Sequence, residues 1–413
     1  MPGEIHELTL STLTYGGEAL GHLDDGRAVF VPFALPGERV RVQLVEHRER
    51  FARGEVIEIL EAAPERIAPR CRHFGTCGGC HYQHLAYEKQ LVLKSEIVRQ
   101  QLARIGRIEG AHVQAAVGSP QIWNYRNQAQ FHLTPDGELG YVGARRGLIP
   151  SRGVVPIKEC HLPEAPINAM WPQVKLEGRL GIERLSIRAG SDGDLLVVLE
   201  SDTPQMPLLQ IEAGVSITHR FEAQNLILAG TDHITMRVLE RDFRVSAGAF
   251  FQVNTPVAEH MVRHVLNSLP AELDTAVDVY CGVGLFSAFL APRCGRLIGI
   301  DSSAAACADY VANLDEFQNV ELYEDLVERV LPALDMKPRM MLVDPPRAGL
   351  EANVLEAIVR MAPEMLIYVS CDPSTLARDA ARLIEAGYGL QGVTPFDLFP
   401  HTYHIESISI FRR

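Results

Sequence analysis

Hydrophobic and polar positions change their period three times along this chain. Over residues 1 to 62 short β-type runs, Ile5 to Leu13, Ala28 to Phe33, Arg39 to Val45 and Gly54 to Leu60, are punctuated by Gly16-Gly17, Asp24-Asp25-Gly26 and Leu35-Pro36-Gly37. A spacing of about ten residues predicts a small antiparallel barrel of the OB-like kind. Pro64 to Pro69 reads as a linker. Leu91, Ile97, Val98, Leu102 and Ile105 then recur at helical spacing without Gly or Pro, which predicts a helix over Tyr87 to Ile105. Residues 120 to 252 are β-rich and irregular. From Asn254 onward helices alternate with short apolar strands at Ala276 to Tyr280, Leu297 to Ile300, Val320 to Tyr323, Met340 to Val343 and Leu366 to Val369. That alternation predicts a doubly wound parallel sheet, which binds ligands at its C-terminal strand ends. The expected architecture is multidomain α/β in three units, 1–62, 63–250 and 251–413, with the helix of the middle unit placed to pack on the third.

Composition adds limits. The chain has 413 residues, 47% hydrophobic and 22% charged, enough for several cores and without the bias of a disordered protein. The start Met1-Pro2-Gly3-Glu4 carries no apolar leader, and no run approaches a membrane span of about 18 apolar residues. A cytoplasmic protein without a membrane partner is expected. A net charge of -13 argues against nucleic acid when averaged over the chain. By segment the picture differs: residues 1–62 hold 6 Arg against 11 Asp/Glu, whereas residues 63–160 hold 13 Lys/Arg against 7 Asp/Glu.

Eight cysteines without a secretory signal point to thiol or metal chemistry. Cys71, Cys77 and Cys80 cluster, and His73, His81 and His84 stand close enough in sequence to complete a tetrahedral zinc site. Cys294 and Cys307 read as core residues and Cys281 as packing in a glycine turn.

The strand ends carry the chemistry. Asp278-Val-Tyr-Cys-Gly-Val-Gly-Leu-Phe-Ser287 is a strand, a glycine turn and a helix start, in which Gly282 and Gly284 let the backbone approach a ligand. Asp301 ends the next strand, where a carboxylate meets ribose hydroxyls. A third glycine is missing, so an adenosyl amino acid fits better than a pyrophosphate. Asp325 follows the third strand, within reach of an adenine edge. Asp344-Pro345-Pro346-Arg347 ends the fourth, placing a carboxylate and a rigid turn where a planar base is gripped.

The fifth strand runs into Cys371-Asp372-Pro373-Ser374, with a helix expected from about Ser374. A thiol at a helix N-terminus is expected to have a lowered pKa and to serve as a nucleophile. Carbon 5 of uracil attacks a methyl sulfonium only after a thiolate adds to carbon 6. A base must then take the carbon-5 proton, and Glu406 in Asp397-Leu-Phe-Pro-His-Thr-Tyr-His-Ile-Glu406 is the candidate, if the last strand lies beside the fifth.

The glycine turn, Asp-Pro-Pro-Arg, Ser-Cys-Asp-Pro, the terminal Phe-Pro-x-Thr-x-His-x-Glu and Phe250-Phe251-Gln252-Val253-Asn254 together resemble the RNA uracil-5 methyltransferases. The resemblance spans residues 249–413. It implies Cys371 as nucleophile and Glu406 as base, and Gln252, Tyr280, Gly282, Gly284, Leu285, Asp301, Asp325 and Asp344 around S-adenosylmethionine and the base. Phe250 is implied to lie against the target base. For Asn254 a helix cap, followed by Thr255 and Pro256, competes as a reading. The N-terminal half resembles the branch acting on 23S ribosomal RNA, with a TRAM barrel at 1–62 and Cys71, Cys77, Cys80 and Cys160 as the ligands of a [4Fe-4S] cluster. Zinc is the alternative from the residues alone.

Because the barrel is acidic, RNA contact is expected from Arg66, Arg70, Arg72, Arg126, Arg145, Arg146 and Arg152, with Tyr125 and Phe250 as aromatics for an extruded base. Rival readings are a transfer-RNA uridine-5 methyltransferase, a base-nitrogen or cytosine methyltransferase, an RNA-binding protein without activity, and an iron-sulfur redox enzyme.

Overall fold

The computed structural model describes residues 3–144, 153–176, 181–205, 209–210, 214–222 and 224–413. The N-terminal sheet has six strands in the order Ile5–Thr9, Arg39–His47, Phe51–Glu61, Ala28–Pro32, Glu18–His22 and Thr12–Leu13, and it curls until the first and fifth of these touch. Alternate residues point inward, so that Val29, Val31, Val40, Val42 and Leu44 are fully buried. The strand Glu18–His22 escaped the sequence reading. Its inward positions are Ala19 and Gly21, too small to mark an alternating pattern, because Leu10 fills the space: a Cβ on Gly21 would stand 3.1 Å from its Cδ2.

The middle of the chain forms a seven-stranded sheet over Phe131, Leu185, Ile187, Val197 and Leu199, covered by Ile167, Met170 and Trp171. The hairpin His233–Val238 and Arg241–Ser246 turns its apolar side to the C-terminal unit. Ser246 fixes it there, its N–H and hydroxyl both donating to Asp309 on the helix Ala304–Asn313 at 2.6 Å.

The C-terminal sheet runs Val320–Glu324, Arg296–Asp301, Thr275–Val279, Met340–Val343, Met365–Ser370, Glu406–Arg412, Gly389–Phe396. The first five strands are parallel and Glu406–Arg412 is antiparallel to both its neighbours. Strand order reverses between Thr275–Val279 and Met340–Val343, and the crevice at such a switch point is where ligands bind. The helix Tyr87–Arg104 packs on Pro373–Glu385, and through Leu93, Ile97, Val98 and Leu102 it joins the barrel core and one face of the C-terminal sheet into a single apolar cluster. Among the described residues no helix is long and apolar enough to cross a membrane.

Candidate active site at the strand ends

The glycine turn is tied to the neighbouring strand end. The N–H groups of Tyr280 and Cys281 donate to the Ile300 carbonyl, and that of Gly282 to Asp301 Oδ2 at 2.9 Å. Gly284 has φ +89° and no room for a side chain, since a Cβ would lie 2.5 Å from Leu314 Cδ1. Gly282 has φ +54°, and a Cβ there would meet nothing within 4 Å, so that side of the turn is open. The helix that follows is one turn, Ser287–Leu290, continued as a 3-10 turn to Arg293. It goes no further as an α-helix because Pro292 has no N–H to donate to the preceding turn.

Carboxylates gather around this turn. Asp278, not singled out from the sequence, is buried, accepts from the Ser287 hydroxyl at 2.6 Å, and has no hydrogen bond at Oδ1. Burial pushes it up to about 7, with Asp301 adding to the shift. Asp344 is likewise pushed up to about 7 by burial and by Asp278. Asp325 is brought beside Asp301 by its N–H, which donates to the Asp301 carbonyl at 3.1 Å, but its own side chain is exposed. Tyr280, with φ +63°, donates its hydroxyl to Glu328. Leu285 turns its side chain into the core. Gln252 is buried, whereas Phe250, two residues earlier, stands 69% exposed. Asn254 caps the helix Thr255–Ser268, its Oδ1 accepting from the Val257 N–H, and its amide also donates to Ser119 and to the Leu398 carbonyl.

Cys371 and Glu406 meet through strand register. Ser370 pairs with Ser407 across the antiparallel pair, so the residues one step further, Cys371 and Glu406, leave the same end of adjacent strands. Glu406 is buried and its carboxyl is raised well above the usual range by burial and by Asp344, against Arg347 and Lys94. The thiol of Cys371 is pushed up to about 12, by burial first and then by Glu406 and Asp344, with Arg347 opposing. This corrects the expectation of a lowered value. The helix N-terminus is occupied by Asp372, whose carboxylate accepts from the Ser374 and Thr375 N–H groups at 2.8 and 3.2 Å, so the free donors and the dipole serve that cap and not the sulfur. Alkylation of Cys371 by iodoacetamide, followed by peptide mass spectrometry, should therefore accelerate about tenfold per pH unit from about 7 to 10. A thiolate of depressed pKa would give a flat profile over that range.

The segment from Asp397 to Glu406 is gripped by all parts of the chain. Tyr125 donates its hydroxyl to the Pro400 carbonyl, Arg126 lies over the Phe399 ring, and Trp123 stacks on His401 at 3.8 Å. The His81 and Tyr82 N–H groups donate to the His401 carbonyl. From the barrel, Tyr15 donates to Asp372 at 3.1 Å and meets Tyr403 edge-on. Two expectations fall here. Tyr125 is buried and offers no platform for a base, and Arg126 is packed against protein rings. Arg66 is held by Glu38 and Arg72 by Glu159, whereas Arg70 stays exposed over Trp123. Arg145, Arg146 and Arg152 lie outside the described residues.

Cys71, Cys77, Cys80 and Cys160 line one cavity of about 220 Å³, together with Tyr141 and Arg126. The His73 and Gly79 N–H groups donate to the sulfurs of Cys71 and Cys77 at 3.4 Å. His81 packs on Tyr403 and His84 on Phe74, and neither lines the cavity. His73 lines it, but its Nε2 accepts from the Lys158 N–H. Among the described residues no three His, Cys, Asp or Glu groups stand close enough to hold a single metal ion. The zinc alternative built on these histidines is thereby corrected. The four thiols share this one cavity.

Comparison with known proteins gives the family. The family model described as tRNA (Uracil-5-)-methyltransferase matches residues 205–413, and that of the TRAM domain matches residues 1–57. An uncharacterized RNA methyltransferase of Halalkalibacterium halodurans is 32% identical over 453 residues, covering 98% of this chain and 96% of its own. The chain belongs to the RNA uracil-5-methyltransferase family. It is an S-adenosylmethionine-dependent RNA methyltransferase with an N-terminal TRAM domain. A second uncharacterized RNA methyltransferase, from Streptomyces avermitilis, is 32% identical to this methyltransferase and covers 99% of it and 98% of its own length. In fold the methyltransferase is similar to the Pyrococcus abyssi tRNA (uracil-54, C5)-methyltransferase solved with S-adenosyl-L-homocysteine, at a TM-score of 0.73 and 24% identity over 98% of this chain and 100% of that one.

Proposed function

We propose that this methyltransferase methylates carbon 5 of a uridine in RNA, ribosomal in preference to transfer RNA, through a covalent bond from Cys371 to carbon 6. The observation that carries the reading is the Ser370 to Ser407 register, which delivers a thiol and a carboxylate to one point beside Asp344. S-adenosylmethionine supplies an electrophilic methyl group on a cationic sulfur. Asp301 accepts from the Gly282 N–H, and a cation near the buried Asp278 and Asp344 favours the ionised forms of those two carboxyls.

Cys371 adds its sulfur to carbon 6 as its proton passes to a neighbouring carboxylate or to water, and the carbon 5–carbon 6 double bond opens toward oxygen 4. Carbon 5 then takes the methyl group as the bond from methyl to the sulfonium sulfur breaks. Glu406 removes the proton from carbon 5, the double bond re-forms, and the Cys371 sulfur leaves. One proton is released for each methyl transferred. Phe250, an exposed aromatic ring, suits stacking on a base turned out of its RNA.

Cys71, Cys77, Cys80 and Cys160 hold a [4Fe-4S] cluster in this reading, and its work is structural. The loop from Cys71 to Cys80 continues directly into His81 and Tyr82, which grip His401. Preference for ribosomal RNA rests on the likeness of the N-terminal half to that branch. The name of the Pyrococcus relative favours the transfer-RNA alternative. Methyl transfer from labelled S-adenosylmethionine to 23S ribosomal RNA and to unmodified transfer RNA, with nucleoside analysis of each, tests both points. 5-methyluridine in the ribosomal RNA is expected. The same product confined to transfer RNA would overturn the ribosomal preference, and a methylated nitrogen or cytosine would overturn the reading itself.

A further inference from the structure

The helix Tyr87–Arg104 carries on its inward face a lysine that the chemistry above does not use. Lys94 is 0% exposed. Its Nζ donates to Asp397 Oδ1 at 2.6 Å, to the His404 carbonyl at 2.9 Å and to the Phe399 carbonyl at 3.2 Å. Three donors and three acceptors use up the ammonium's hydrogen-bonding capacity, and all three acceptors belong to the segment that ends in Glu406. One turn earlier on the same face, Gln90 accepts from the His401 N–H at 3.0 Å.

A buried ammonium is a costly way to fix a loop, because desolvating the charge offsets much of what the ion pair contributes. Neutral side chains would bind two carbonyls as well. What a neutral residue lacks is a positive charge beside the base. Glu406 faces Asp344 from the fourth strand, Cys371 from the fifth, Arg347 from the loop after the fourth and Lys94 from the helix. Arg347 reaches the same segment from the other side, 3.3 Å from His404 Nδ1.

We propose that Lys94 is a positioning residue for product release, its three bonds holding the segment Asp397–Glu406 so that Glu406 meets the carbon-5 proton as a carboxylate. The inference rests on the covalent reading above and concerns its last step. Addition and methyl transfer need Cys371 in place, whereas release needs Glu406 both aimed and ionised. Loss of Lys94 should therefore split the two halves of the reaction.

The test compares Lys94→Met and Lys94→Gln with the unsubstituted protein. Adduct formation is read with RNA containing 5-fluorouridine, and product release with ordinary uridine RNA in single turnovers across pH. Lys94→Met should form the fluorouridine adduct within about threefold of the parent rate, while release slows by about tenfold or more and its pH profile moves upward. Lys94→Gln keeps polar contacts with the segment and removes only the charge, so its release profile should also move upward. A lysine that serves only to hold the fold would slow adduct formation and release together or neither, and that result would overturn the proposal. If Lys94→Met yields no folded protein, Lys94→Gln decides alone: slowed release with an upward profile supports the proposal, and an unchanged or downward profile rejects it. Absence of a fluorouridine adduct in the parent protein would defeat the covalent reading itself, and the role of Lys94 with it.

Discussion

Replacing Cys371 with alanine is expected to lower methyl transfer by on the order of 10⁴-fold or more, with the fold and the binding of S-adenosylmethionine retained. The size follows from the substrate. Carbon 5 of uracil carries too little electron density to displace a sulfonium sulfur, and no other thiol at the strand ends can add to carbon 6. Cys281 and Cys307 are buried in the core, and the four cysteines of the cavity belong to a different region of the chain. Folding should be little affected, because the thiol is only half-buried and the helix it precedes is capped by Asp372. Thermal unfolding with and without S-adenosylmethionine, beside the transfer assay, separates these effects. A loss of less than about tenfold would show that the methyl goes to an atom that needs no thiol.

The second large effect is expected at Glu406. Glu406→Gln leaves addition and methyl transfer possible but removes the base, so release should slow by about 10² to 10⁴-fold and a methylated protein–RNA adduct should accumulate. Stability should move the other way. The carboxyl of Glu406 is raised well above its ordinary value by burial and by Asp344. A carboxyl of raised folded-state pKa binds its proton more tightly in the native protein than in the unfolded chain. Its contribution is therefore fully present below the unfolded value and is lost as pH rises through the folded one. As pH rises through that folded value the native protein comes to bear a buried carboxylate that glutamine does not have, so the melting temperature of Glu406→Gln should gain on that of the parent with rising pH. A variant that loses both release and melting temperature would show that Glu406 serves the fold.

Much of this was legible in the sequence, for physical reasons. Parallel strands buried on both faces must be continuously apolar, so Met340–Val343 and Met365–Ser370 announced themselves. Cys371 was legible because a strand running into Ser-Cys-Asp-Pro allows few arrangements. The charge environment was not. Asp372 reads equally well as part of a reactive motif and as the cap that takes up the helix dipole, and only the hydrogen bonds from Ser374 and Thr375 decide. Lys94 was hidden by its own chemistry: a lysine within a helical pattern reads as solvent-facing, and its partner Asp397 stands 303 residues away. The same distance problem hid the pairing of Arg66 with Glu38 and of Arg72 with Glu159, which removed two arginines from the expected RNA surface. Segment charge survives such pairing in sequence counts. Free cationic surface does not.

The covalent step is tested most directly by incubating the protein and S-adenosylmethionine with ribosomal and transfer RNA containing 5-fluorouridine, and examining the mixture under denaturing conditions. Fluorine at carbon 5 cannot leave as a proton, so the sulfur stays attached after methyl transfer. A denaturation-resistant adduct with one of the RNAs, absent in Cys371→Ala and mapped to the Cys371 peptide, is the predicted result. Methylation of unsubstituted RNA without an adduct on the fluorinated one would contradict the account.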